Sequence, residues 1–307
     1  MEQCVQKSDM SENYPPVQKP YERNVEILEE GVFPAGMVRV ALGIEYNGAL
    51  FHGFQKQPSG VVTVQQALEA ALSSVAAEPV TLVCAGRTDT GVHATNQVVH
   101  FDTLASRPAK AWTRGVNTQL PDAVAVRWAC EITPRFHARF SAQNRTYRYV
   151  VINTPQRPAL GYQQLTWVRE ALDLAAMQEA ASHLVGTHDF SAFRASQCQA
   201  RSPVRTIEYL HLARRGDLVV AEVRANAFLH HMVRNIMGAL LPVGKGERPA
   251  SWVADVLQGR DRRQAGVTAK PQGLHLVGVD YPVEFGLPQP APGPIFFPEA
   301  LGGFAGG

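Results

Sequence analysis

Residues 80–85 and 97–102 are two apolar runs joined by Gly86-Arg87-Thr88-Asp89-Thr90-Gly91-Val92-His93-Ala94. Runs this short, separated by a glycine-punctuated turn, read as two strands carrying a rigid loop. The pattern therefore points to a sheet in this part of the chain. Gly86 and Gly91 permit backbone angles closed to other residues. They hold one carboxylate, Asp89, and one guanidinium, Arg87, in a specific turn between two apolar supports. Loops held by rigid strands often carry function. Turn chemistry alone also selects these residue types, so Asp89 can equally be read as an Asx cap with Arg87 a surface neighbour.

The rest of the chain mixes both periods. Val38, Val40, Leu42, Ile44 and Tyr46 alternate with Arg39, Ala41, Gly43 and Glu45, a strand pattern ended by the turn residues Asn47-Gly48. Thr63 with Gln66 resembles a capping box, ahead of a helical stripe of Val64, Ala67, Leu68, Ala71, Leu72 and Val75. A helix after Pro108 and a strand over 124–130 follow. In the second half, Met177, Ala180, Ala181 and Leu184 predict a helix stopping at Gly186, with His188-Asp189 in the turn beyond. Residues 207–213 and 218–224 predict a hairpin. Phe228, Leu229, Met232, Val233, Ile236, Met237 and Leu240 predict the strongest helix, a shorter one starts near Ser251, and 274–279 is a last strand. Hairpins mixed with helices point to an α+β fold of two halves rather than a doubly wound parallel sheet.

Length and punctuation suggest the organisation. At roughly 150 residues per domain, 307 residues make about two units. Residues 1–36 hold three Lys/Arg against seven Asp/Glu and lack a sustained apolar period, so they read as a flexible acidic arm. Residues 37–142 form a first α/β half with the Asp89 loop, and 143–286 a second. Residues 287–307 form a Pro/Gly-rich tail, in which Ile295-Phe296-Phe297 could dock on the body. The overall charge of +2 then splits into −4 on the arm and +6 on the remainder, a weak pointer to a polyanionic partner. No stretch nears the ~18 consecutive apolar residues of a spanning helix. The start Met1-Glu2-Gln3-Cys4 is unlike a secretory leader. The four cysteines have no paired spacing and are expected to be reduced thiols of a cytoplasmic protein.

Taken whole, Gly86-Arg87-Thr88-Asp89-Thr90-Gly91-Val92-His93 resembles the catalytic loop of the TruA family of tRNA pseudouridine synthases. The resemblance continues through Ala41 to Gly48, Gln97 to Phe101, Phe136 to Ala142, Tyr147-Arg148-Tyr149, His188-Asp189-Phe190, Phe228 to Asn235 and Gly273 to Pro282. It covers roughly residues 38–290, in order. Two departures stand out: Thr90, where the family usually has Ala and where a hydroxyl could bond to Asp89, and Phe54, where Trp is frequent.

The resemblance implies a pseudouridine synthase fold, with two similar halves and mostly antiparallel sheets flanking a central cleft. It implies isomerisation of uridine to pseudouridine at positions 38, 39 and 40 of the tRNA anticodon stem-loop by a homodimer, without cofactor. Asp89 is then the catalytic carboxylate. Tyr147 stacks on the extruded base, Arg87 pairs with Asp89 or intrudes into the RNA helix, and Arg234 points toward Asp89. Independently of family, Arg234 sits on the most apolar helix, so it must have a buried partner or line a site.

Arg135, Arg139, Arg145 and Arg148 are interleaved with Phe136, Phe140, Tyr147 and Tyr149, and Arg194 and Arg201 follow. Such interleaving suits RNA phosphates and bases, and equally suits solvated strand faces. Arg139, Arg145, Arg194 and Arg201 are the candidate RNA contacts. No metal site is expected, because two adjacent residues on a helix, His230 and His231, diverge by about 100° and cannot easily share an ion. One is expected to pack on the core and one to face the RNA. Two other readings compete. Asp89-Thr90-Gly91 is the triplet of aspartic proteases, though Gly86-Arg87-Thr88 stands where such enzymes want apolar residues. A non-catalytic RNA-binding protein would also explain the basic stretches.

Overall fold

The structure, a computed structural model, describes residues 33–294. Most of the acidic arm and the end of the tail, with Ile295-Phe296-Phe297, lie outside the described residues.

The alternating pattern near the start forms strand β1 (Val38–Tyr46). Asn47 then turns the chain, its side chain accepting from the Ala49 N–H at 3.1 Å. Helix α1 (Val64–Ala76) starts where Thr63 Oγ1 accepts from the Gln66 N–H at 3.3 Å. Its stripe buries Leu68 and Leu72 completely.

The predicted strand over 80–85 shrinks to β2 (Val83–Cys84). The cause is α1: Ser73 Oγ and Glu69 Oε1 accept from the N–H groups of Val80 and Leu82, side-chain bonds in place of ladder bonds. Its partner β3 (His93–Thr103) starts four residues earlier than the alternation suggests. A short helical segment (Ala111–Gly115) and β4 (Val124–Ile132) complete the first half.

The second half runs β5 (Asn144–Asn153), β6 (Thr166–Val168), α2 (Leu174–Ser182), β7 (Gly186–Asp189), β8 (Val204–Arg215), β9 (Leu218–Ala225), α3 (Met232–Gly244), α4 (Ser251–Gly259) and β10 (Leu274–Asp280). His188 and Asp189 are thus in a strand rather than a turn, because β7 pairs with β8 through His188 opposite Arg205. The β8–β9 hairpin forms with strands longer than expected, turning at Gly216-Asp217.

Strand order is β4-β1-β3-β10-β5-β9-β8-β7, with β2 on β3 and β6 on β5. The pairings are antiparallel except β3–β10 and β5–β6. The halves do not merely face each other: the last strand, β10, bonds to β3 of the first and β5 of the second and makes one continuous sheet. At that junction His275 of β10 stacks on His93 of β3, ring centroids 4.8 Å apart. In the second half α2 packs on α3, α4 and β8.

Arg148 does not line a basic strand face. It is fully buried on β5, with its Nε donating to Glu222 Oε2 at 2.6 Å and Nη1 to the Gly293 carbonyl at 2.6 Å. That second bond, with Thr95 Oγ1 donating to the Pro292 carbonyl at 2.5 Å, seats residues 292–293 on the junction. Cys84, Cys130 and Cys198 are free thiols.

Candidate active site

The Asp89 loop is held on three sides by groups that sequence spacing alone does not connect. Gln97 of β3 brackets Gly86, its Oε1 accepting from the Gly86 N–H at 3.3 Å and its Nε2 donating to the Gly86 carbonyl at 2.6 Å. Tyr46 Oη bonds Thr88 Oγ1 at 2.8 Å. The Phe54 N–H donates to the Thr88 carbonyl at 3.0 Å. Gly53, with φ +88°, permits that approach: a Cβ there would stand 2.9 Å from the Thr88 carbonyl oxygen. Phe54 is buried and tilts against Tyr46 at 6.0 Å, so a phenyl ring fills this place. Inside the loop the Val92 N–H closes a turn on the Asp89 carbonyl at 3.1 Å. The Asp89 side chain emerges 23% exposed. Thr90 is exposed and its hydroxyl makes no hydrogen bond among the described residues, so it does not restrain Asp89.

The second half supplies the counter-charges. Arg234, in the first turn of α3, donates from Nη1 to Asp89 Oδ2 at 3.1 Å and from Nε to the Ala269 carbonyl at 2.9 Å. Gly238 lets the 266–269 loop lie this close, since a Cβ there would stand 2.0 Å from the Val267 carbonyl oxygen. Arg87 is exposed and makes no ion pair with Asp89; Arg234 occupies that role. Tyr147 on β5 is buried, its ring edge-on to Phe228 at 5.0 Å. Its hydroxyl stands over Gly86, 3.7 Å from where a Cβ would be. Burial pushes its phenol well above the usual range.

The histidine doublet differs from expectation. The predicted helix from Phe228 begins at Met232, and His231 precedes it at φ +62°, a left-handed conformation uncommon outside glycine. Residues 228–231 are therefore not helical, and the two rings lie together, centroids 4.0 Å apart. Neither packs on the core. His230 Nε2 lies 3.4 Å from Asp89 Oδ1 and His231 Nε2 lies 3.3 Å from Asp89 Oδ2. Burial holds His231 below the usual imidazole range, an effect that the Asp89 carboxylate opposes. Sequence reasoning sent one of the two to the core and missed that both lie beside Asp89, because the apolar period runs through Phe228 and Leu229 as if the helix had already begun. Backbone strain of this kind clusters at functional sites.

The other candidates separate. Arg145 reaches across the seam, donating to the carbonyls of Ala142, Asn226, Ala85 and Arg139 at 2.8–3.2 Å, so it ties the halves together rather than facing solvent. Arg194 donates to the carbonyls of Cys198 and Ala200 and shapes that loop. Arg139 and Arg201 are exposed, with the Arg139 guanidinium over the Phe140 ring at 5.7 Å.

A carboxylate on a braced turn of the first half is thus met from the second by an arginine and a buried tyrosine. The comparisons with known proteins place the chain among the pseudouridine synthases, which are isomerases. The family profile described as tRNA pseudouridine synthase matches residues 43–141 and 180–282, and the chain belongs to that family. A Pseudomonas aeruginosa protein named tRNA pseudouridine synthase A is 55% identical over 271 residues, 87% of this chain and 95% of its own length. Its namesakes from Alcanivorax borkumensis and Vibrio campbellii are 56% and 52% identical, over 86% of this chain in each case and 99% and 100% of their own lengths. Among the described residues no helix is long and apolar enough to cross a membrane.

Proposed function

We propose that this chain isomerises uridine to pseudouridine in tRNA, at positions 38, 39 and 40 of the anticodon stem-loop, with Asp89 as the catalytic carboxylate. The observation that carries the reading is Asp89 itself: partly exposed on a braced turn, ion-paired to Arg234 and beside Tyr147. In the reaction the N1–C1′ bond breaks, the base turns, a C5–C1′ bond forms and the C5 proton leaves. A carboxylate serves this chemistry by attacking C1′ or by taking a sugar proton. Arg234 holds the charged carboxylate in position, and the Tyr147 ring stacks on the base. A paired uridine is out of reach inside a stem, so the nucleotide is extruded, at a cost of a few kcal/mol. Exposed Arg87 is free to enter the space that the base leaves. Arg139 and Arg201 contact phosphates, and the enzyme acts as a homodimer in the cytoplasm. The side chains facing Asp89 are an arginine and two histidines, not the second carboxylate that an aspartic protease needs.

Tritium release from tRNA carrying 5-tritiated uridine tests the reading, since forming the C5–C1′ bond expels the label. Wild type should release it and Asp89→Asn should not, while tRNA still binds. Release by both removes Asp89 from the chemistry, and binding without release by either leaves an RNA-binding protein. Binding should weaken as salt rises, because phosphate contacts release counterions. A flat salt profile would count against RNA.

A further inference from the structure

Asp89, His230 and His231 present one carboxylate oxygen and two imidazole nitrogens, all within 4.8 Å of one another. The left-handed backbone at His231 creates this grouping, because it turns both rings to one side where a helix would splay them. Each Nε2 stands 3.3–3.4 Å from a carboxylate oxygen. Two ligands at 2.0–2.2 Å from a tetrahedral ion stand about 3.3–3.6 Å apart. The two contacts are to different oxygens of Asp89 and the set spans up to 4.8 Å, so side-chain shifts of about 1 Å would seat one ion. The three side chains are 23–38% exposed, which gives an ion entry and leaves its fourth position open. Two nitrogens and one oxygen suit Zn2+ and its neighbours rather than Mg2+ or Ca2+, which prefer all-oxygen shells.

We propose that these three residues form an inhibitory site for a divalent transition-metal ion such as Zn2+. Bound there, the ion occupies one oxygen of the Asp89 carboxylate and withdraws charge from the other, so that the carboxylate is a poorer nucleophile and base, and it fills space that the sugar must enter. Arg234 opposes the ion electrostatically and weakens the site, yet its Nη1 still donates to Asp89 Oδ2 as an outer hydrogen-bond partner would. No bond to the RNA is made or broken by the metal. The inhibitory half of the proposal rests on the assignment of Asp89 given above; the binding half does not.

The full-length protein without RNA is titrated with Co2+, and separately its tritium release is followed as Zn2+ is added. Expected are the visible absorption bands of low-coordinate Co2+ saturating at one ion per chain, their displacement by Zn2+, and loss of turnover reversed by a chelator. Each of His230→Ala and His231→Ala, compared with its own metal-free rate, should raise the half-inhibitory Zn2+ concentration at least about tenfold, the lower end of what loss of a mere outer partner does. Cys198 is the control: its Sγ lies 3.4 Å from the His230 backbone nitrogen, so it is a soft ligand close by. Cys198→Ser should leave the Zn2+ sensitivity as in wild type. Absence of the Co2+ bands overturns the site. Equal Zn2+ sensitivity of wild type and both histidine variants overturns it too, since the metal then acts elsewhere or on the RNA. Co2+ bound with turnover intact overturns the inhibition. Should wild type show no turnover at all, the functional reading fails while the Co2+ spectra still settle the site.

Discussion

Two arginine–carboxylate pairs, Asp89–Arg234 and Glu222–Arg148, use the same chemistry for opposite ends. Arg148 and Glu222 are 0% and 5% exposed and meet at 2.6 Å. Both carboxylate oxygens are occupied, since Glu222 Oε1 accepts from Tyr209 Oη at 3.0 Å, and Arg148 also holds the Gly293 carbonyl. Arg234 and Asp89 are 14% and 23% exposed and meet at 3.1 Å; Arg234 Nε also holds the Ala269 carbonyl, while the Asp89 carboxylate has only the two histidines besides among the described residues. A saturated pair sealed at the centre of a sheet has nothing left for a substrate. An unsaturated pair at the sheet junction, with one partner from each half, has. Charge type does not separate structural from functional residues here; the number of unused lone pairs and the access to them do.

The widest separation of the two pairs comes from removing one member of each. Asp89→Asn should cut turnover to below about a thousandth of wild type. Its unfolding free energy should change by no more than about 1 kcal/mol, as for a partly exposed pair. Arg148→Ala should do the reverse, costing about 3–5 kcal/mol because Glu222 is left buried and uncompensated. Urea midpoints beside tritium release read both at once. A stable, inactive Arg148→Ala would break the contrast.

Next in size is Tyr147. Tyr147→Ala should lose the ~1–3 kcal/mol of stacking on one base, seen in kcat/KM, while Tyr147→Phe keeps most of it. Equal impairment of the two would shift the role from the ring to the hydroxyl.

The last contrast is in pH. Burial lowers His93 to about 4 and His100 and His275 to about 3, from an ordinary 6.5. Above 6.5 these rings are neutral in both folded and unfolded chains and add no pH dependence. Below it the unfolded chain binds protons that the folded chain refuses, so stability falls progressively from about pH 6.5 toward 4. Denaturation midpoints across that window check this, and His275→Gln should flatten the slope. An unchanged slope would remove the junction histidines from the account.

Much of the molecule was legible in residue order because its signals are local. The alternation of Val38 to Tyr46, the Thr63 cap and the 218–224 run each depend on neighbours a few residues away. The Asp89 loop was legible for the same reason, its glycines and carboxylate lying within one turn. Arg234 was flagged because a guanidinium on an apolar helix requires a partner. Arg148 and Arg145 were misread as solvent-facing because their partners, Glu222 and the seam carbonyls, come from other strands and loops. The start of α3 was placed four residues too early because apolar spacing cannot register one left-handed residue.

Residue order thus specified the elements, the family and the carboxylate that the reaction is proposed to use. It left open where β10 would insert, which arginine would meet Asp89, and that His230 and His231 would lie beside it. Those depend on pairing energies between segments more than a hundred residues apart, as β10 shows by bonding β3 on one side and β5 on the other. Periodicity carries no record of such partners, because any apolar strand offers the same backbone groups to each of them.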